Sequence, residues 1–159
     1  MNTLFDSRDP EVQGECTTEL SVIIPLYNEH EIIKIMYARV TSTLVSLGIS
    51  YELVLIDDGS RDGTPKMIGR LAEEDPAVTA IFLSRNFGKE AALTAGLEHA
   101  AGNAVVIMDA DMQDPPELIP DMLRAWKDGA DVVCMRRRSR AGESWFKRYS
   151  AHFFYRILN

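Results

Sequence analysis

Apolar residues recur along this chain in two alternating rhythms. Short runs rich in β-branched residues, Leu20 to Pro25, Tyr51 to Ile56, Val78 to Leu83, Ala104 to Met108 and Asp131 to Met135, read as five strands. Between them, apolar positions repeat every three or four residues. The longest such segment runs from Glu29 to Leu47, where Ile32, Ile33, Met36, Val40, Leu44 and Leu47 form one stripe. Thr64 to Glu74, Lys89 to Ala101 and Glu117 to Lys127 predict further helices, the last ending near Gly129. The run Ala104 to Met108 has no polar member, which predicts a strand covered on both faces. Strands alternating with helices at this spacing predict a doubly wound α/β domain, its sheet mostly parallel with helices on both faces.

Composition bounds this picture without changing it. A chain of 159 residues, 46% hydrophobic and 26% charged, can bury one substantial core. The division expected is a flexible leader over residues 1–19, a main domain over 20–135, and a distinct segment over 136–159. The leader is polar and acidic, unlike a signal peptide. No run approaches the roughly 18 apolar residues of a membrane span, so the chain as given reads as soluble or peripheral. Cys16 and Cys134 have no metal-ligand spacing and are too few for a disulfide framework, which suits a reducing cytosol.

Charge does change the picture. The net charge of -7 argues against a general nucleic-acid binder. Residues 136–159, however, hold seven Lys/Arg against Glu143 alone, a local +6 that leaves -13 for residues 1–135. On a helix, Phe146, Tyr149, Phe153, Phe154, Ile157 and Leu158 would share one side and Lys147, Arg148, His152 and Arg156 would lie largely elsewhere. That arrangement suits an anionic membrane surface, and equally suits packing on further protein.

The candidate chemistry sits where strands end. Pro25-Leu26-Tyr27-Asn28-Glu29 follows the first strand, and Asp57-Asp58-Gly59-Ser60-Arg61-Asp62-Gly63-Thr64 the second. Ser84-Arg85-Asn86-Phe87-Gly88-Lys89 follows the third, and Asp109-Ala110-Asp111-Met112-Gln113-Asp114-Pro115-Pro116 the fourth. Open α/β sheets bind ligands outside the carboxyl ends of their strands, so these loops converge on one edge. Asp109, Asp111 and Gln113 concentrate hard oxygen donors suited to Mg2+ or Mn2+. A divalent ion at that edge commonly neutralises a phosphate, which predicts a metal-dependent enzyme acting on a nucleotide diphosphate. Taken alone, the acidic loop also reads as solvated surface. Asp62 and Thr64 equally read as helix caps, and Gly59 and Gly63 as turn residues.

Three segments, Val22 to Glu29, Val54 to Ser60 and Asp109-Ala110-Asp111, resemble the inverting family 2 glycosyltransferases of GT-A fold. Asp109 to Glu117 is most similar to their polyprenyl-phosphate branch, which includes dolichol-phosphate mannose synthases and bacterial bactoprenol glucosyltransferases. Arg85 to Glu90 and Arg137 to Trp145 resemble the bacterial group. The resemblance implies that Tyr27 lies against the nucleotide base, with Pro25, Asn28 and Glu29 shaping its pocket. It implies that Asp57 and Asp58 serve the nucleotide, Asp58 bonding base or ribose, and that Arg85 approaches the base. Asp109 and Asp111 would face the sugar diphosphate, Asp109, Asp111 and Gln113 would serve the metal, and Arg137 would approach a phosphate. Such roles are chemically sensible, because aromatic faces stack on bases and guanidinium groups match phosphate oxygens.

The implied reaction moves a hexose, glucose favoured, from a nucleotide diphosphate to a polyprenyl phosphate with inversion, at the cytoplasmic face of a membrane. UDP-glucose is the favoured donor. A phosphate acceptor is mostly ionised at neutral pH, so it needs positioning more than a general base. Branch members continue past this point with an acidic-aromatic-arginine acceptor motif, and many with membrane helices. The expectation is therefore a fragment with a complete donor half and an incomplete acceptor half. Alternatives are transfer to a saccharide hydroxyl, a donor-binding module without transfer, and a nucleotidyltransferase. Residues 20–30 lack the glycine-rich basic loop of the last class. There is no Walker loop, and His30, His99 and His152 are scattered.

Overall fold

The computed structural model describes residues 18–135. Strands β1 (Leu20–Leu26), β2 (Tyr51–Asp57), β3 (Val78–Phe82) and β4 (Ala104–Ile107) form one sheet in the order β3-β2-β1-β4. All three pairings are parallel. Parallel neighbours need crossovers, here α1 (Ile33–Leu47), α2 (Thr64–Glu74) and α3 (Lys89–His99), while α4 (Ile119–Lys127) follows a 3-10 turn at Pro116–Leu118. The chain steps outward from β1 to β3, then returns to the far side of β1 for β4. That reversal opens a crevice between the carboxyl ends of β1 and β4, where doubly wound sheets hold their ligands.

Alternation along β1 splits the core in two. Leu20, Val22, Ile24 and Leu26 pack with Leu53 and Leu55 against Ile33, Met36, Val40 and Leu44 of α1, and the same cluster takes in Ile68 and Ile119. On the opposite face Ile23, Val54 and Ile56 meet Ala92 of α3. Each fully buried Leu or Ile contributes roughly 1.5–3 kcal/mol, so helices on both faces are what this pattern demands. Helix α3 lies close because of Gly96: a Cβ there would stand 2.7 Å from Ile23 and 2.9 Å from Ile56.

Several boundaries differ from expectation, for physical reasons. Helix α1 starts at Ile33 rather than Glu29, because the Glu29 N–H donates to Thr64 Oγ1 at 2.9 Å and the His30 N–H to Asp62 Oδ2 at 3.3 Å. Helix α3 stops at His99 because the Ala101 N–H donates to Glu52 Oε1 and the Gly102 N–H to Ser21 Oγ, drawing the chain into β4. Strand β4 is not covered on both faces, since Val105 and Ile107 are 40% and 47% exposed. The fifth strand at 131–135 is absent: these residues join no ladder, and Val132 is 79% exposed. An apolar run makes a strand possible, but pairing makes it one. Glu19, placed in the flexible leader, is anchored by its N–H to Ser50 and by its carboxylate to Lys127 Nζ at 2.6 Å. Among the described residues no helix is long and apolar enough to cross a membrane. The remainder of the leader and the whole basic segment 136–159, Arg137 included, lie outside the described residues.

Candidate functional site

A cleft of about 400 Å³ opens at the crevice between β1 and β4. Pro25, Tyr27 and Glu29 line it from the β1 loop, Asp58 from the β2 loop, Asn86, Gly88 and Lys89 from the segment entering α3, and Asp109 and Asp111 from the loop after β4. Tyr27 is 44% exposed and is part of the lining. All four polar clusters therefore meet on one edge, as the strand-end pattern predicts.

The loops are held by each other rather than by local structure. Asp58 is buried and accepts the Phe87 N–H at 2.8 Å and the Gly88 N–H at 2.9 Å, tying the β2 loop to the start of α3. Gly59 makes this approach possible, with φ +68° and a would-be Cβ only 2.3 Å from the Arg85 carbonyl carbon. Asn28, at φ 55°, donates its N–H to Ser60 Oγ at 2.8 Å and accepts the Arg61 N–H at 2.9 Å, which joins the β1 and β2 loops. Met112 also has positive φ, 61°, between Asp111 and Gln113. A methionine there costs about 1–2 kcal/mol, and such strain concentrates at functional sites.

The electrostatics fit a cation bound together with an anionic ligand. Burial, then the charge of Asp111, then that of Asp62 push the Glu29 carboxyl above its ordinary range. Asp111 Oδ1 accepts the Gln113 N–H at 3.0 Å, which orients that carboxylate. Lys89 Nζ pairs with Asp109 Oδ1 at 2.5 Å. Among the described residues no three His, Cys, Asp or Glu side chains form a closed metal cage. Two hard carboxylates on an open cleft suit Mg2+ or Mn2+ that takes its other ligands from phosphate and water.

Of the predicted site residues, Pro25, Tyr27, Glu29, Asp58, Asp109 and Asp111 reach the cleft. Asp57 does not: it is buried and accepts the Ser60 N–H within its own turn. Asn28 braces the loops, and Gln113 is exposed outside the lining, contributing its N–H to Asp111. The Arg85 guanidinium stacks on Phe87, 4.7 Å from the ring centroid, and is not on the lining. Asp62 accepts the Thr64 N–H at 2.9 Å just before α2, which fits its reading as a helix-start residue. The turn reading fails for Gly63: its φ is -77°, and it is small because a Cβ there would stand 2.5 Å from His30 Nδ1. Asn86 and Lys89 were not singled out from sequence as site residues. Their position after β3, on the same edge as the other clusters, was the available signal.

Fold and cleft together define a doubly wound α/β domain whose polar loops line a crevice at the strand-order reversal. The sequence profile described as glycosyl transferase family 2 matches residues 21–159, and the chain belongs to that family. It is 45% identical over 142 residues to the uncharacterized glycosyltransferase sll0501 of Synechocystis, covering 89% of this chain and 45% of that protein. It is 42% identical over 141 residues to the prophage bactoprenol glucosyl transferase homolog of Escherichia coli, covering 89% and 46%. Among solved structures, the mannosyltransferase PcManGT of Pyrobaculum calidifontis, in complex with GDP-Man and Mn2+, superposes with TM-score 0.60 at 30% identity, over 82% of this chain and 40% of that one. The chain thus spans less than half the length of these relatives.

Proposed function

We propose that the protein transfers a hexose, glucose by preference, from a nucleotide diphosphate sugar to a polyprenyl phosphate, with inversion and with a divalent ion. The observation that carries this reading is the convergence of Tyr27, Asp58, Asp109 and Asp111 on one cleft at the strand-order reversal. The relative named as a bactoprenol glucosyl transferase homolog supports the acceptor class and glucose as the sugar, and UDP is the nucleotide tested below. The neighbour holding GDP-Man and Mn2+ supports a nucleotide sugar and a metal in this fold. A lipid acceptor places the reaction at a membrane surface, on the cytoplasmic face where nucleotide sugars are available.

In this reading Tyr27 stacks on the base at the mouth of the cleft and Pro25 limits its slide. Asp58 keeps two backbone N–H groups and still has lone pairs for a base or ribose donor. Asp109 and Asp111 would hold the metal, whose chemistry would be to offset charge on the leaving diphosphate. Gln113 fixes Asp111 through its N–H. Arg137, two residues past Met135, serves a phosphate of donor or acceptor. No residue of the cleft is assigned as a general base, because an ionised phosphate attacks without losing a proton.

Calorimetry tests the reading. UDP should bind with Mn2+ present, and Asp111→Asn should weaken that binding at least tenfold without lowering Tm, since the carboxylate is exposed; the scale is that of one charge-assisted contact. Tyr27→Ala should weaken uridine itself by roughly 1–3 kcal/mol, the worth of a base stack. Unaltered UDP affinity in Asp111→Asn would remove the metal role. Labelled sugar appearing on a saccharide hydroxyl instead of a polyprenyl phosphate would overturn the acceptor.

A further inference from the structure

We propose that Lys89 is a phosphate-binding residue of this cleft, resting on Asp109 while the cleft is empty and moving to the donor's diphosphate when it fills. The proposal rests on the donor-site reading above and adds a residue to it. Among the described residues lining the cleft, Lys89 is the one cation, set against Glu29, Asp58, Asp109 and Asp111. An anionic donor entering such a lining meets repulsion from every ionised side chain but this one. The stem of Lys89 is rooted at a fixed point, because it opens α3 directly after Gly88, whose N–H is held by buried Asp58. Its head lies in the open. The ammonium reaches across to Asp109 Oδ1 at 2.5 Å, with the two side chains 53% and 40% exposed.

An ion pair this exposed is worth little, so exchanging its partner costs little. Asp109 and Asp111 would hold a divalent ion, and Lys89 would then give up the Asp109 carboxylate to it. On its four-carbon stem the ammonium can sweep the adjoining space, where it would meet diphosphate oxygens of the donor. A compact charge with three donors suits such oxygens without demanding one geometry. Lys89 thus acts as a placeholder for metal in the empty cleft and as a phosphate contact in the filled one. The two roles predict effects of opposite sign when the charge is removed.

Lys89→Met keeps the length and apolar stem and deletes the charge. In the full chain, Mn2+ alone, followed by electron paramagnetic resonance, should bind about threefold more tightly to Lys89→Met, because a competing cation has left Asp109. UDP titrated in saturating Mn2+ should bind about tenfold more weakly, the loss of one charge-assisted contact. Uridine should bind as to wild type, and Lys89→Arg should recover most of the UDP affinity. Thermal melting of each variant checks the fold. Should Lys89→Met fold poorly, Lys89→Gln replaces it in the same titrations. If wild type binds UDP or GDP with Mn2+ and the charge-deleted variant binds them equally well, Lys89 is a surface ion pair and the proposal is wrong, while the donor-site reading stands. If both UDP and Mn2+ weaken together, the lysine supports the loop only and the exchange is likewise refuted. If wild type binds neither nucleotide, the donor-site reading itself fails and takes this proposal with it.

Discussion

At the carboxyl ends of β1 and β2, side chains of one loop hold the backbone of the next. Asn28 meets Ser60 and Arg61, Thr64 meets Glu29, and Asp58 meets Phe87 and Gly88. The flank at β4 is built otherwise. There Val105, Ile107, Leu97 and Val132 are between 40% and 79% exposed, and residues 131–135 run without ladder partners. The contrast separates two means of shaping a surface. Loops with little apolar area reach defined positions only by satisfying backbone N–H groups through specific partners. Apolar strands reach them by being covered, and hydrophobicity alone does not say by what. The binding edge is accordingly the part of the sheet where single substitutions should be felt at a distance.

Breaking the core that both regions share should have the largest effect. Leu55 is fully buried between β1 and the helices, and Leu55→Ala should cost about 2–5 kcal/mol in denaturant unfolding. Next comes the bracing itself. Gly59→Ala brings a Cβ onto the Arg85 backbone at a left-handed φ, and should cost about 3 kcal/mol from strain and overpacking combined. Asp58→Ala leaves the Phe87 and Gly88 N–H groups without their carboxylate, at about 2 kcal/mol. Hydrogen exchange at those two amides should accelerate while the amides of β3 keep their protection. Unchanged exchange at Phe87 and Gly88 would mean that the brace is incidental.

A smaller effect sharpens the comparison at the other end of the sheet. Tyr37 donates its hydroxyl to Asp75 Oδ2 at 2.7 Å, and that bond, with burial and the charges of Asp75, Tyr51 and Glu74, pushes the phenol up to about 12. Tyr37→Phe should cost about 1 kcal/mol at neutral pH. A folded-state pKa above the ordinary 10.0 stabilises the fold fully below pH 10 and is lost as pH rises through 12. The gap between wild type and Tyr37→Phe should therefore narrow across that window, provided the fold survives it. The smallest effect belongs to the open flank. Val105→Thr and Ile107→Thr should each change stability by less than about 0.5 kcal/mol, since each side chain is already substantially in water. A loss above 2 kcal/mol at either position would show that the flank is packed in solution.

Much of the edge chemistry was legible beforehand because strand ends and helix starts are local signals. Thr64–Glu74 carries its own proline in the first turn and an apolar stripe, and the helix runs between the expected residues. The start of α1 was not legible, since its preceding N–H groups are bonded by Thr64 and Asp62, more than thirty residues away. For the same reason Asp57 and Asp58, adjacent and chemically identical, took different places. One closes its own turn and the other reaches across to a segment twenty-nine residues on.

By itself the sequence determined the α/β alternation and the gathering of acidic and aromatic residues at strand ends. Periodicity and turn chemistry act over a few residues, so a single chain carries them wherever it is read. Tertiary structure alone decided that β4 lies beside β1 rather than β3, that its outer face stays open, and that Lys89 stands over Asp109. Those outcomes depend on which strand edges pair and how closely α3 approaches over Gly96. Both are set by contacts between residues far apart in the chain, which no local pattern encodes.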